Sequence, residues 1–150
     1  PGTSESSIVS WGYPENTKAG NYEIRTEEAR RIVRRDIDLS AAVHTMSHAI
    51  AMVRGLETGD EALVGAACAD VLHEPYRRTL IAEYNAMRAM ALEAGAATFF
   101  ISGSGSTMIA ATKSEAVAEA FVAKVRETWP DFAARVLTVC HEGTTVTVED

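Results

Sequence analysis

The chain has 150 residues, of which 47% are hydrophobic and 23% charged, and its formal net charge is -7. That length suits one domain with its own core and is short for two, and the composition is that of a folded globular protein, not of a disordered or fibrous one. The acidic balance argues against a nucleic-acid partner, because a phosphate-backbone binder needs a basic face to displace counterions.

Cys68 and Cys140 are the two cysteines. They are far apart, without CxxC spacing and with no secretory signal ahead of them, so a reduced cytoplasmic protein is expected. The most apolar stretches, such as Ala94 to Ile101, are far shorter than the ~20 residues that cross a bilayer, and no membrane partner is expected. No initiator methionine precedes Pro1, which leads to the expectation of a piece of a longer chain.

Residues Pro1 to Gly20 carry Gly, Ser, Pro, Asn and Thr around the apolar island Ile8-Val9-Ser10-Trp11 and predict a loop with a short strand. Tyr22 to Arg25 is a second strand candidate. Thr26 then offers an N-cap hydroxyl, with Glu27 and Glu28 in a first turn that favours carboxylates, and predicts a short helix through Arg35. The arginines Arg25, Arg30, Arg31, Arg34 and Arg35 form the one basic concentration, which on pattern alone is a solvated face.

From Leu39 the apolar residues Leu39, Val43, Met46, Ile50 and Val53 recur at spacings of three and four, predicting a core-facing helix that stops near Gly59. Asp60 can cap the next helix, whose apolar face is Leu63, Val64, Ala67, Cys68, Val71 and Leu72. Pro75 suits the first turn of a third helix closing at Gly95, with Leu80, Ile81, Tyr84, Met87 and Ala91 as its stripe. His44 and His48 stand one turn apart, but no third ligand is placed to complete a metal site, so ordinary helix residues are expected. Asp36, Asp38 and Asp70 are expected to be caps or surface charges.

The texture then turns to β: Thr98 to Ile101 and Met108 to Ala111 flank Ser102-Gly103-Ser104-Gly105-Ser106-Thr107 and predict two strands joined by a glycine loop. Ser114 caps a last helix bearing Val117, Phe121, Val122 and Val125, and Arg135 to Cys140 and Thr145 to Val148 predict two more strands. This order of elements predicts an α+β fold, with helices covering one side of an antiparallel sheet.

Two features can carry chemistry. The paired glycines let backbone N–H groups converge on an anion, although a tight turn between strands is the plainer explanation and no P-loop lysine follows. Arg77 lies in the first turn after Pro75, where the helix already carries partial positive charge; it suits a shared anion there, or else a pairing with Glu74 or Asp70.

Three separated strings, Thr26-Glu27-Glu28-Ala29-Arg30, Leu72-His73-Glu74-Pro75-Tyr76-Arg77 leading into Leu80-Ile81, and Ile101 to Thr107, together resemble homoserine kinases of the GHMP small-molecule kinase superfamily. Order and spacing match as well, from about Ile24 to the end. The glycine loop is shared across the superfamily and the other two strings discriminate; Ser106 stands where the family usually has proline.

The resemblance implies a ferredoxin-like GHMP kinase C-terminal domain over residues 24–150, with 1–23 as the junction to an amino-terminal domain. It implies phosphorylation of the side-chain hydroxyl of L-homoserine by ATP with Mg²⁺, on the route to threonine. Arg30 and Arg77 match arginines that grip the substrate carboxylate, Thr26 matches a site-lining threonine, and Gly103, Ser104 and Gly105 match the loop that supports the phosphate-binding loop. No catalytic residue is assigned.

The family's ATP-binding segment, with its GLGSS string, and its Mg²⁺-binding glutamate belong to the amino-terminal domain and are not found in these 150 residues. The chain alone is therefore expected to be inactive and to hold neither ATP nor Mg²⁺ tightly, with L-homoserine, an amino-terminal GHMP domain and a second copy of itself as partners. Rival readings are an amino-acid sensor that kept the two-arginine grip, half of another superfamily kinase, and an assembly domain.

Overall fold

The computed structural model describes residues 7–12 as backbone, and residues 26–105, 107–139 and 146. A strand β1 (Ser7–Gly12) opens the chain. Among the described residues five helices follow, α1 (Thr26–Arg31), α2 (Leu39–Thr58), α3 (Glu61–Ala67), α4 (Glu74–Arg77) and α5 (Tyr84–Glu93). Then come strands β2 (Thr98–Ser102) and β3 (Thr107–Thr112), helix α6 (Glu115–Thr128) and strand β4 (Ala133–Thr138).

The sheet order is β2-β3-β1-β4 with every neighbouring pair antiparallel. β1 and β2 therefore run parallel with β3 between them, the split βαβ arrangement of ferredoxin-like folds, so the expected α+β class holds. All five of the first helices lie in the connection from β1 to β2.

The core sits where α5 and α6 cover one face of the sheet. Tyr84, Met87 and Ala91 from α5 meet Phe121, Val122 and Val125 from α6 over Phe99, Met108 and Ala110. Alternation along β3 buries Met108, Ala110 and Thr112 and leaves their neighbours partly exposed, the period expected of a sheet covered on one side. Ser114 begins α6 as foreseen, its hydroxyl accepting from Val117 N–H.

Four expectations change. α1 stops at Arg31 instead of Arg35, and Thr26 is its first residue; continuing it would stack Arg30 on Arg34 and Arg31 on Arg35, like charges one turn apart. α3 ends at Ala67 because the chain turns to let the Asp70 carboxylate accept from Leu72, His73 and Glu74 N–H. The single helix expected from Pro75 to Gly95 is broken into α4, a 3₁₀ turn at Arg78–Leu80 and α5. At the break Thr79 hydroxyl takes the Tyr76 carbonyl, and Ile81 adopts an extended backbone that buries its side chain.

The fourth change concerns α2, whose apolar stripe does not face the core. Leu39 is 80% and Ile50 73% exposed, and Val43, Met46, Val53 and Leu56 are exposed beside them. α2 packs on α3 through Gly55, where a Cβ would sit 2.9 Å from Val64 Cγ2. α3 in turn lies so close to the sheet that a Cβ on Gly65 would come 2.5 Å from the Ala97 carbonyl oxygen. The strand candidate Tyr22 to Arg25, Cys140, and Thr145 to Val148 apart from the exposed Val146 lie outside the described residues.

Candidate functional site around the glycine loop

The turn from β2 to β3 is the point on which the three motif strings meet. Gly103 and Gly105 have φ of 62° and 124°, a region that residues with a Cβ rarely enter, so the loop needs glycine at both positions. Gly105 N–H reaches the Ser102 carbonyl across the turn at 3.4 Å.

Thr26 hydroxyl donates to Ser104 Oγ at 3.4 Å, bringing the start of α1 to the loop. Thr26, Glu27, Arg30, Arg31 and Arg35 line an open groove of about 550 Å³ beside it. From the other side, Arg77 Nη1 donates to the Gly103 carbonyl at 2.6 Å, and the partners foreseen as the plain alternative, Glu74 and Asp70, are not the ones it takes. Among the described residues Arg77 Nε is buried with no hydrogen-bond partner, an arrangement that costs about 1–3 kcal/mol.

Asp70, His73, Glu74, Arg77, Ile101 and Gly103 line a second, smaller groove of about 160 Å³. A third, of about 370 Å³, shares Asp70, His73, Glu74 and Ile101 with it and extends to Thr45, His48 and Cys68. Thr26 and Arg77 thus meet one turn through Ser104 and Gly103, with Gly105 part of the turn itself, whereas Arg30 lines the groove it shares with Thr26 and makes no contact of its own with the turn among the described ones.

The electrostatics rest on α4 and the residues before it. Burial pushes the Asp70 carboxyl up, but the Leu72, Glu74 and His73 amides and the nearby His73 ring outweigh burial and hold it below its ordinary value of 3.8. Burial pushes the Cys68 thiol up, so it is not a poised thiolate. His44 and His48 stack at 3.7 Å, with His44 Nε2 3.0 Å from the Ala69 carbonyl oxygen and His48 Nδ1 2.8 Å from the His44 carbonyl oxygen. Among the described residues no group of three His, Cys, Asp or Glu could hold a metal ion.

Two residues that matter were not singled out by pattern. Glu74 was read as a neighbour of Arg77, and Tyr84 as part of a helix stripe. Tyr84 hydroxyl donates to Glu74 Oε1, and Glu74 Oε2 accepts from Ile101 N–H at 3.4 Å. The available signal was a carboxylate directly before the helix-opening Pro75, where the fixed turn aims it back along the chain's path.

The family model described as GHMP kinases C terminal matches residues 52–131, more than half of the chain. The chain belongs to the GHMP kinase C-terminal family. This GHMP domain is 38% identical over 130 residues to a homoserine kinase of Thermosynechococcus vestitus, covering 84% of the chain and 43% of that protein. It is 35% identical over 132 residues to a homoserine kinase of Synechococcus sp., covering 86% of the chain and 43% of that protein. Among solved structures, homoserine kinase from Cytophaga hutchinsonii superposes with a TM-score of 0.78 at 26% identity, covering 93% of the chain and 43% of that structure. The chain therefore spans less than half the length of the relatives it matches.

The Asp70 cap generates a prediction with a definite sign. A carboxylate whose folded pKa is depressed stabilises the fold above its unfolded value and loses that contribution as pH falls through the lower folded value. Asp70→Ala should unfold more easily than the parent by ~1 kcal/mol near neutral pH, as loss of a cap does. In denaturant titrations the gap should narrow as pH is lowered from about 5 toward about 2; a gap that widens on acidification would contradict the cap.

Proposed function

We propose that this chain is the substrate-binding, carboxy-terminal half of a homoserine kinase, with residues 24–150 as the domain and 1–23 as its junction. The single observation that carries this reading is the convergence of Thr26 and Arg77 on the Gly103–Gly105 turn, with Arg30 in the groove that Thr26 borders. The homoserine kinase names of the similar proteins support it.

In this reading L-homoserine lies against the turn with its carboxylate taken by Arg30 and Arg77. A guanidinium is always charged and offers a planar fork of donors, which fits a carboxylate better than a lysine does. Arg77 is already anchored through Nη1 to Gly103, so little side-chain freedom is lost when the substrate arrives. Thr26 borders the same space and holds Ser104 in place.

Phosphoryl transfer needs little covalent help from a protein; it depends on holding the acceptor hydroxyl in line and on neutralising charge. These residues supply the first of those requirements for the amino acid. ATP, which supplies the γ-phosphoryl group, and Mg²⁺ are assigned in this proposal to an amino-terminal half. A cytoplasmic place on the route to threonine goes with it; the structural finding on that point is that no helix among the described residues is long and apolar enough to cross a membrane.

The test is ADP release from Mg-ATP and L-homoserine, by this chain alone and with the amino-terminal half of a similar homoserine kinase added. Activity in the mixture only is expected. Activity of the chain alone would overturn the division of labour, and silence in both would overturn the kinase reading.

Self-association is a second proposal, favoured by the exposed stripe of α2. Its spacings of four and three alternate as in a two-helix seam, so a second copy lying antiparallel and crossing at Met46 meets it with an apolar stripe of its own. Arg54 and Asp38 stand equally far from Met46 along the chain, which in that pairing sets a cation of one copy beside an anion of the other, and the small Ala42 and Ala49 flank the seam. Sedimentation should show a dimer that Met46→Asp converts to monomer without loss of helix content. A parent chain that stays monomeric across the concentration range would contradict this.

A further inference from the structure

We propose that Glu74 and Tyr84 act as a positioning pair for the glycine loop: through them the buried core fixes where the loop and Arg77 stand. In its catalytic consequence, though not in its geometry, this rests on the kinase reading above.

Helix α4 grips the exit of β2 at two points. Glu74 Oε2 accepts from Ile101 N–H at 3.4 Å, and one turn later Arg77 Nη1 donates to the Gly103 carbonyl at 2.6 Å. One residue is an acceptor and the other a donor, matched to the N–H and C=O that alternate along a strand edge. β2 is the outer strand on its side of the sheet, hydrogen-bonded to β3 alone among the described strands, so the edge opposite β3 is the one α4 covers. The two grips straddle Ser102, the last residue before the turn.

What holds Glu74 is Tyr84. Its hydroxyl donates to Glu74 Oε1, and its ring is fully buried, edge-on to Phe99 with centroids 5.3 Å apart. Burial, then the bond to Glu74, then the charge of Glu74 push the Tyr84 hydroxyl well above its ordinary range, so it remains the donor. The backbone of Glu74 is pinned as well, its N–H donating to Asp70 Oδ2 at 2.9 Å.

A chain of contacts therefore runs from Phe99 and Tyr84 through the Glu74 carboxylate to Ile101, and through α4 to Arg77 and Gly103. Removing the Tyr84 hydroxyl keeps the ring and its packing but frees one oxygen of Glu74, so the carboxylate is no longer aimed at Ile101. The loop and Arg77 then lose their fixed distance from the core, while neither Glu74 nor Tyr84 needs to touch substrate.

Tyr84→Phe tests this in two arms, with Glu74→Gln as the second variant should the first fail to fold. Amide exchange of this chain is expected to speed up at least tenfold at Ile101 and Gly105, while the central-strand amide of Ala110 keeps its protection. In kinase assays with the amino-terminal half added, kcat is expected to fall at least tenfold while the KM for ATP stays within twofold. Unchanged exchange at Ile101 and Gly105 overturns the proposal, and so does loosened exchange with kcat unchanged. An inactive wild-type mixture counts against the kinase reading instead, and faster loop exchange still supports the positioning pair.

Discussion

The bond from Arg77 to the Gly103 carbonyl joins two parts of the molecule that local sequence would leave independent. The helical insertion α1–α5 leaves the sheet after β1 and returns at β2, and the glycine turn follows directly. Without that tie, the C-terminal end of α4 would lose its hold on the turn, and beyond its own backbone the turn would keep only the long Thr26–Ser104 bond. A guanidinium suits this tie because Nη1 can serve the loop while Nε faces elsewhere. That leaves Nε buried and unpaired among the described residues, a cost accepted at functional sites and rarely at purely structural ones.

The surrounding structure serves that tie. Asp70 opens the chain after α3 and fixes the start of α4, and Glu74 and Tyr84 hold α4 to the core. Close contact at Gly65 sets α3 against the chain entering β2. The break at Ile81 lets α4 and α5 point differently: α5 covers the sheet while α4 reaches the loop. A continuous helix from Pro75 to Gly95 would have kept Arg77 in line with the core helix.

The parts of the fold that were legible in the sequence are those ruled by local chemistry. The β2–β3 pair, the Ser114 cap and the Phe121-Val122-Val125 stripe follow from alternation, a capping hydroxyl and helical period. The α2 stripe misled because period marks an apolar face and not what covers it: Leu39, Val43, Met46, Ile50 and Val53 are regular and exposed. The break at Ile81 was hidden because no glycine or proline marks it; burial of one isoleucine and a hydroxyl-to-carbonyl bond at Thr79 decide it. At the site, Arg77 and the glycines were visible as separate strings, but that Thr26 meets Ser104 and Arg77 meets Gly103 is long-range geometry that no spacing encodes. Glu74 and Tyr84 escaped for the same reason, since their partner on the strand, Ile101, is an ordinary apolar residue in pattern.

The most direct measurement is the homoserine KM of Arg77→Ala in the kinase assembled from this chain and an amino-terminal half, with Lys124→Ala, an exposed cation on α6, as a charge control. Loss of a charge-assisted contact of about 2 kcal/mol should raise that KM by roughly 30-fold for Arg77→Ala and leave Lys124→Ala close to the parent. A homoserine KM unchanged in Arg77→Ala would contradict a substrate site built on the guanidinium that holds the glycine loop.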